Sequence, residues 1–374
     1  MRPAWAEVDL GAVAANVRAL TRLVAPAEVC AVVKADGYGH GAVAVAQAAL
    51  EAGAGWLGVA LAEEGATLRD AGITEPILVL SEPQGDDMEV AAWFGLHPTV
   101  YTPAGVETAV RAAKHAAAHG ATIPLPVHLK IDTGMHRVGA QPEDVVMLAA
   151  ALAAHSELTF EGVWTHFAVA DEPDNPFTGE QLARFRAAVG ELETAGLRPP
   201  LTHAANSAAA IGHPESRFDL VRIGIALYGI APSPAMAGAI PLRPVMSLKA
   251  TVSLVKEVKA GERISYGLRH TFARDSVVAT VPVGYADGVR RRLSAAGGEV
   301  LIRGQRRPIV GVVTMDQLTV DCGDDRDVRV GDEVVLIGEQ GDDRITAEEW
   351  ADELDTIGYE IVCGIGPRVP RRYR

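Results

Sequence analysis

Eight short apolar runs alternate with helical patterns between about residue 7 and residue 235, and this alternation strongly restricts the possible folds. The runs are rich in β-branched residues, as buried parallel strands are, and they recur roughly every 25–30 residues, the length of a βα unit. The predicted strands are 29–33, 56–60, 77–80, 98–101, 126–131, 160–166, 201–205 and 219–224. Eight such units make up a TIM (β/α)8 barrel, so we predict an α/β barrel over residues 7–235. A doubly wound open sheet is the alternative, but the first strand is not followed by a Gly-x-Gly-x-x-Gly motif.

The pattern changes after a Pro-, Ala- and Gly-rich segment at 231–244. Helical periodicity fades, and short alternating strands separated by Gly, Asp and Pro follow, which predicts a mainly antiparallel β C-terminal domain over residues 236–374. Residues 1–6 are candidates to join it. The predicted strands are 246–258, 276–284, 299–304, 307–313, 317–321 and 332–338.

Two features near the end of the chain carry local predictions. Thr346 with Glu349 three residues later forms a capping-box pattern for a helix over 346–355. The basic segment 368–374 is interpreted as a solvent-exposed tail.

Charge and cysteine content limit the function classes. The net charge of −14 argues against nucleic acid or an anionic membrane as a main partner. No run approaches the ~20 apolar residues of a membrane span, and the acidic start of the chain lacks the pattern of a signal peptide. Three scattered cysteines show neither disulfide nor zinc spacing. We therefore expect a reduced, cytoplasmic protein without a bound metal.

Polar residues stand where several barrel strands end. A barrel gathers the carboxyl ends of its strands on one face, where active sites lie. The residues in question are Lys34, Lys130 with Asp132, His166, Asn206 and Arg222. A lysine in a dry pocket becomes a usable amine nucleophile. Taken alone, Lys34 could instead be solvated, Arg222 a structural salt bridge and His166 a core histidine.

The chemistry of this set suggests one ligand. Lys34 offers an amine for an aldehyde, and Arg222 could hydrogen-bond a ring nitrogen. Phosphate oxygens could be bound by Tyr38, Ser207 and the backbone N–H groups of Gly224 and Ile225. An aldehyde, a phosphate and a ring nitrogen together describe pyridoxal 5'-phosphate.

A series of motifs then extends over the whole chain. They are AVVKADGYGHG (31–41), LKIDTGMHRVG (129–139), VWTHFAVAD (163–171), HAANSAA (203–209), VRIGIALYG (221–229), ISYG (264–267), VPVGYADG (281–288), TMDQ (314–317) and GYEIV (358–362). In this order and at this spacing, the sequence resembles the alanine racemase family, whose members combine a barrel with a β-domain and use pyridoxal phosphate.

The resemblance implies a two-base reaction in a homodimer. Lys34 would hold the cofactor covalently and move the α-proton on the D face. Tyr266, reaching the barrel of a second subunit, would be the base on the L face. Two bases flanking a flat carbanion suit the removal of a proton from one face and its return to the other. The product would supply D-alanine for peptidoglycan.

The resemblance also assigns the surrounding residues. Arg222 would contact the ring nitrogen, and His166 would orient Arg222 and Tyr266. The substrate carboxylate would be bound by Arg137 and by the backbone N–H of Met315 from the other subunit.

The remaining implied roles concern the phosphate and the pocket entrance. Tyr38, Ser207 and Tyr359 would bind the phosphate, with Asn206 beside them. Lys130 matches a position that is often carbamylated in the family, and a carbamate there would balance Arg137; pairing of both with Asp132 is the plainer alternative. The residues expected to narrow or support the entrance are Asp171, Tyr285, Asp316 and Tyr359. His136 and Thr314 depart from the residues that many relatives have.

Three alternatives stay open. One is a racemase of broader substrate range. Another is a barrel-type decarboxylase, against which Arg222 argues because such enzymes usually place an acidic residue on the ring nitrogen. The third is a non-catalytic carrier of pyridoxal phosphate, which would resemble the barrel alone and leave the β-domain without a purpose.

Overall fold

The structure is a computed structural model that describes residues 3–374. It divides into two units. One, the barrel unit, comprises residues 13–37 and 42–243; the other, the C-terminal unit, comprises 244–374 together with 38–41 and the residues up to Ala12. The observed boundary follows residue 243, eight residues later than the expected boundary at 235/236. Residues 7–12 and 38–41, which we expected in the barrel, belong to the C-terminal unit. Residues 1 and 2 lie outside the described part of the chain.

Eight parallel strands form the sheet of the barrel unit, as predicted. They are Glu28–Val32, Trp56–Val59, Ile77–Val79, His97–Val100, Leu125–Lys130, Leu158–Trp164, Leu201–His203 and Leu220–Ile223. Each pairs with the next along the chain up to Leu201–His203, and the last strand pairs with the first. Two backbone hydrogen bonds cross the remaining gap, from Asp219 to Thr202 at 3.0 Å and from Arg222 to Ala205 at 2.9 Å. The sheet is therefore a nearly closed barrel, which confirms the predicted fold class.

Helices connect these strands. Their bounds are Leu10–Val24, which precedes the first strand, then Ala42–Glu51, Ala62–Asp70, Asp87–Trp93, Pro103–Ala118, Val145–Ala153, Phe177–Thr194 and Ser207–Gly212, with a left-handed turn at Lys34–Tyr38 and 3-10 turns at Pro142–Asp144, Pro214–Ser216, Ile225–Tyr228 and Pro234–Met236. Pro103–Ala118 shows why such segments are helical. The hydroxyl of Thr102 accepts a hydrogen bond from the N–H of Gly105 at 2.9 Å, and proline occupies the first turn. Small apolar residues, among them Val106 and Ala109, then bury one face of the helix.

The C-terminal unit is mainly antiparallel, as predicted. Its strands are Ala4–Val8, Met246–Thr251, Leu254–Val258, Arg263–Ile264, His270–Thr271, Ser276–Val281, Glu299–Ile302, Gln305–Val310, Leu318–Asp321, Glu333–Gln340, Asp343–Ile345 and Arg371–Tyr373. Its short helices are Leu293–Ala296, Ala347–Leu354 and Gly358–Cys363, with 3-10 turns at Tyr266–Leu268 and Tyr285–Asp287.

Most side chains of 368–374 are solvent-exposed, as predicted, but the interpretation of the segment as a tail was wrong. Arg371–Tyr373 is a strand that pairs in parallel with Ala6–Val8. The guanidinium of Arg371 donates to the carbonyls of Gly366 and Val369 at 2.6 and 2.7 Å. A basic segment is held here because backbone carbonyls accept the donors of the arginine.

The predicted capping box is half formed. The hydroxyl of Thr346 accepts a hydrogen bond from the N–H of Glu349 at 3.1 Å. The carboxylate of Glu349 binds the guanidinium of Arg306 instead of returning to Thr346. An ion pair has taken the place of the second capping bond. Among residues 3–374, no helix has both the length and the apolar character needed to cross a bilayer.

Candidate active site

A left-handed turn follows the first barrel strand and begins at Lys34. Ala35, Asp36 and Gly37 have φ values of 53°, 52° and 61°. Non-glycine residues pay roughly 1–2 kcal/mol for this conformation, and it persists only where the surroundings enforce it. The N–H of Gly37 donates to the carbonyl of Val33 at 2.8 Å, and the N–H of Ala35 donates to the carboxylate of Glu64 at 2.6 Å. The turn therefore fixes the backbone that carries Lys34.

Several cationic side chains gather at this end of the barrel strands. Burial, followed by the charges of Arg222 and Arg137, lowers the pKa of Lys130 to about 7. Burial and then the charges of Arg222 and Lys130 hold the pKa of His166 well below its usual value, so this imidazole is neutral at physiological pH. Lys34 contributes to both effects. The structure thus brings together four residues predicted from strand ends with Arg137, which only the resemblance assigned.

Arg222 lies at the centre of this cluster. It is 3% exposed, and burial lowers its pKa to about 10, so it remains charged. Its guanidinium donates to the carbonyls of Thr165 at 2.7 Å and Ala204 at 2.8 Å, and one of its nitrogens is 3.3 Å from Nδ1 of His166. Among residues 3–374 no carboxylate forms an ion pair with Arg222, which excludes the structural salt bridge considered above.

The pairing of Lys130 with Asp132 is also absent. Nζ of Lys130 lies 4.2 Å from the ring centroid of Trp164. Asp132 accepts hydrogen bonds from the backbone N–H groups of Gly134 and His136, both at 3.0 Å. The carboxylate therefore shapes the loop that leads to Arg137, whose side chain is exposed.

Ser207 and its neighbours form a second group in the barrel unit. Oγ of Ser207 accepts a hydrogen bond from the N–H of Gly224 at 2.9 Å, so this N–H, which we expected to face a phosphate, is directed at the serine. Ile225 follows, buried, in the next turn. Asn206 caps the helix Ser207–Gly212 by accepting from the N–H of Ala209 at 3.0 Å. The hydroxyl proton of Ser207 can still be donated to an anion.

Tyr38 and Tyr359 lie together in the C-terminal unit. Their ring centroids are 6.3 Å apart. Burial, and then the neighbouring Tyr359 and Cys363, raises the pKa of the Tyr38 phenol above its usual range. The phenol of Tyr38 therefore stays protonated and able to donate a hydrogen bond.

The other C-terminal residues predicted for the site are exposed. Tyr266 is 72% exposed and Met315 52%, so neither side chain packs in the interior of its own chain. The N–H of Tyr285 donates to the carbonyl of Thr314 at 2.9 Å, which holds Tyr285 beside the segment that carries Met315. A Cβ atom on Gly284 would lie 2.4 Å from the carbonyl oxygen of Met315, so only glycine fits there.

Two predicted supporting residues have structural contacts. In the C-terminal unit, the carboxylate of Asp316 binds Arg368 at 2.6 Å. In the barrel unit, the backbone carbonyl of Asp171 accepts a hydrogen bond from the hydroxyl of Ser233 at 2.6 Å.

Sequence reasoning missed two residues that hold Arg222. Nδ1 of His203 is 2.8 Å from the guanidinium, and the ring of Trp164 stacks on His203 at a 10° interplanar angle. The Cζ atom of Arg222 is 4.5 Å from the Trp164 ring centroid. Both residues could have been found from their position in the sequence, because each is the last residue of a barrel strand.

Comparisons with known proteins agree over the full length. A model of the alanine racemase N-terminal domain matches residues 8–232, and one of the alanine racemase C-terminal domain matches residues 245–373. The alanine racemase of Symbiobacterium thermophilum is 53% identical over 373 residues, covering 100% of this chain and 97% of that protein.

The chain belongs to the alanine racemase family.

Solved structures of the family superpose closely. The alanine racemase from a D-cycloserine-producing Streptomyces lavendulae is 42% identical with a TM-score of 0.93, covering 100% of this chain and 97% of its own. That of Bacillus anthracis, solved with bound L-Ala-P, is 40% identical with a TM-score of 0.91, covering 100% and 95%. The chain is accordingly an isomerase, and its family reaction is the interconversion of L- and D-alanine.

Proposed function

We propose that this isomerase uses pyridoxal 5'-phosphate bound at Lys34 and moves the α-proton of alanine with two bases. Lys34 acts on the D face, and the partner subunit's Tyr266 acts on the L face of a site shared across a homodimer. The product supplies D-alanine for the peptidoglycan of the cell wall, and we expect the reaction to take place in the cytoplasm.

The observation that carries this proposal is the surplus of positive charge around Lys34. Beyond the effect of burial, the charges of Arg222 and Arg137 lower the pKa of Lys130, in a chain whose net charge is −14. A positively charged cluster in an acidic protein fits a ligand with a phosphate, a phenolate oxygen and a substrate carboxylate.

The donor set also fits the cofactor group by group. Lys34 supplies the amine for its aldehyde, and Arg222 supplies N–H donors for its ring nitrogen. Ser207 retains a hydroxyl proton for the phosphate, and the buried, protonated phenol of Tyr38 offers a second donor. When bound, the cofactor delocalises the electron pair that remains at Cα after proton removal.

Arg222 sets the electronic character of the site. A guanidinium donates hydrogen bonds and cannot give up a proton to the ring nitrogen at neutral pH. The neighbouring His166 is neutral and does not supply one either. Arg222 and His166 would therefore leave the ring nitrogen of a bound cofactor unprotonated, which would limit the charge drawn from Cα and suppress side reactions such as transamination.

The proton transfers fall to Lys34 and Tyr266. Arg137 and the backbone N–H of the partner subunit's Met315 hold the carboxylate of alanine, so that its Cα–H bond points toward one base or the other. The exposure of Tyr266 and Met315 supports a role in a second subunit, since neither side chain is buried within its own chain. The charge of Arg137 acts on the buried Lys130, whose amine is largely neutral above pH 7, and we propose that Lys130 is carbamylated.

The presence of both domains favours a racemase over a carrier. Family models match the barrel and the β-domain alike, and Tyr266 and Met315 lie in the second. Tyr285 and Tyr359 are expected to narrow the pocket toward a methyl side chain, which favours alanine over larger substrates.

Optical rotation tests the proposal. Purified protein without added cofactor is mixed with L-alanine, and the rotation is followed to zero beside reactions with L-serine and L-lysine. We expect decay with alanine and little with the others. Decay with all three would indicate a racemase of broader range. A protein that binds the cofactor but leaves the rotation unchanged would be a carrier.

Two alanine variants sharpen the test. Lys34→Ala should lose activity by about a thousandfold or more, as expected for a residue that transfers a proton. Lys114→Ala is the matched control, because the side chain of Lys114 is 60% exposed, and it should keep wild-type activity. Normal turnover by Lys34→Ala would contradict the assignment.

A further inference from the structure

A chain of hydrogen bonds leads from Arg222 away from the strand ends. Nη1 of Arg222 is 2.8 Å from Nδ1 of His203, and Nε2 of His203 is 3.0 Å from Nδ1 of His128. Nε2 of His128 is 3.2 Å from a carboxylate oxygen of Glu161, which also binds Nδ1 of His97. His128 and His203 are fully buried, whereas the side chains of His97 and Glu161 are 12% and 24% exposed. Residues from five barrel strands thus form one continuous path, the relay, from the buried arginine to a partly exposed carboxylate.

The proton positions along the relay follow from its two ends. A guanidinium only donates, so Nδ1 of His203 must accept. The proton of a neutral His203 is then on Nε2 and is donated to Nδ1 of His128. His128 must therefore carry its own proton on Nε2, where it faces Glu161. An ionised carboxylate only accepts, so every bond in the relay has one donor and one acceptor.

The electrostatics agree with these assignments. Burial and then the charge of Arg222 hold the pKa of His203 well below its usual value, and burial likewise lowers that of His128. Burial opposes ionisation of Glu161, yet the hydrogen bonds from His128 and His97 lower its pKa to about 2. Both relay histidines are therefore neutral and Glu161 is charged at physiological pH.

The relay also connects Arg222 to an anion. Within residues 3–374, the direct acceptors of this buried cation are carbonyl groups and imidazole nitrogens, and none is a carboxylate. A buried charge is costly unless it is compensated, and hydrogen-bond chains in a low dielectric polarise one another. Glu161 is the carboxylate to which these bonds lead.

A metal site is the competing interpretation of the partly exposed end of the relay, at His97, His128 and Glu161. The ligand atoms of His97, His128 and Glu161 lie within 4.8 Å of one another, close enough to hold one ion. A metal at Nε2 of His128 would need the lone pair there, and the proton would move to Nδ1. Two N–H groups, from His128 and His203, would then face each other at 3.0 Å. The bond to Arg222 fixes His203, so this geometry opposes the metal.

We propose that Glu161 is a remote positioning residue for the racemase reaction, acting through His128 and His203 to orient Arg222 and to balance its charge. The catalytic part of this inference rests on the proposed contact of Arg222 with the cofactor ring nitrogen. The proton arrangement of the relay does not depend on that contact.

The first test determines which ring nitrogens of His128 and His203 carry a proton. Holoenzyme labelled with 15N-histidine is studied by NMR between pH 6 and 8, and signals are assigned with single His→Gln variants. His128 and His203 should both be neutral Nε2–H tautomers that do not titrate. An Nδ1–H tautomer or a charged ring at either position would overturn the proposal. So would a shift of the His97 and His128 signals on addition of one equivalent of Zn2+.

The second test is a double-mutant cycle in the holoenzyme. Glu161→Gln keeps an acceptor for His128 but removes the charge, and it should lower kcat about tenfold with little change in KM. His203→Asn interrupts the relay because its side chain is too short to bridge Arg222 and His128. In that background Glu161→Gln should change kcat less than twofold. Glu193→Gln, on the surface, is the matched control and should leave kcat unchanged.

The outcomes distinguish a positioning role of Glu161 from a purely structural one. An equal loss from Glu161→Gln in both backgrounds would mean a purely structural role and would overturn the proposal. Expected tautomers with an unchanged kcat in Glu161→Gln would also overturn the positioning role, while leaving racemisation by the wild-type enzyme intact. If His203→Asn does not fold, the positioning role of Glu161 is tested by the tautomers together with the kcat of Glu161→Gln compared with that of Glu193→Gln.

Discussion

Lys130 should react with carbon dioxide far more readily than an ordinary lysine. Its pKa falls from the usual 10.5 to about 7 because the amine is buried beside Arg222 and Arg137. This change corresponds to about 5 kcal/mol favouring the neutral amine. At pH 8 roughly nine-tenths of Lys130 is neutral, against about 0.3% of a solvated lysine, an enrichment of about 300-fold. The neutral amine adds to carbon dioxide and releases a proton, which places a negative carbamate beside Arg137.

Carbon-13 NMR of the holoenzyme measures this directly. With 13C-bicarbonate at pH 8, we expect one carbamate signal per chain in the wild type and none in Lys130→Met. Lys114→Met is the control, since Lys114 is exposed and should leave the signal unchanged.

Kinetics of two substitutions test the role of the charge. Lys130→Met leaves Arg137 without the carbamate, and we expect KM for alanine to rise about tenfold, equivalent to about 1.4 kcal/mol. Lys130→Glu restores a negative charge and should recover most of that loss. Absence of the carbamate signal in the wild type, or Lys130→Glu no better than Lys130→Met, would refute the reasoning.

Three further predictions concern other parts of the chain. Tyr266→Phe should damage proton removal from L-alanine more than from D-alanine, and equal loss of the primary isotope effect in both directions would contradict the two-base assignment. Gly284→Ala should lower the free energy of unfolding by about 2 kcal/mol, because the new methyl group meets the carbonyls of Thr314 and Met315, and denaturant unfolding against wild type measures this. The pKa of Glu161 is lowered from 4.5 to about 2, so the stability it contributes is present above pH 4.5 and lost as the pH falls toward 2. Urea unfolding at pH 5 and pH 3 should therefore show a loss in the wild type that exceeds the loss in Glu161→Gln by about 2 kcal/mol, and equal losses would contradict this.

The barrel strands were predictable because each has a recognisable local residue pattern. Each is a β-branched apolar run bounded by polar residues, and the observed strands start and end within about two residues of the predicted ones. The strand Arg371–Tyr373 was not, because its residues are mostly charged and its pairing partner Ala6–Val8 lies at the opposite end of the sequence. Register between distant segments depends on tertiary packing, which no local pattern reports.

The residues of the candidate site also differ in whether a local sequence pattern could predict them. Lys34, Lys130 and Arg222 were found from their position at strand ends. The left-handed backbone of Ala35 after Lys34 was not predicted, because it depends on hydrogen bonds such as that to Glu64, which local sequence does not show.

Other residues proposed for the site gave weaker signals in the sequence. Tyr266 was assigned only through the family resemblance, since a tyrosine between short strands ordinarily packs against its sheet. Glu161 was missed because it lies within a barrel strand, and His203 was missed because a strand-end position alone does not show that its ring faces Arg222. Their roles depend on which strands are adjacent in the closed barrel.

The measurement that tests the shared two-base site most directly is complementation between two severely impaired variants. Lys34→Ala and Tyr266→Phe chains carrying different tags are coexpressed, and the mixed dimer is isolated through both tags. If Tyr266 serves the partner subunit, one site of this dimer has both mutations and the other has none. We predict that the mixed dimer recovers about half of the wild-type kcat per dimer, while each parent homodimer keeps only a small residual activity. A mixed dimer as inactive as its parents would contradict a site shared between subunits.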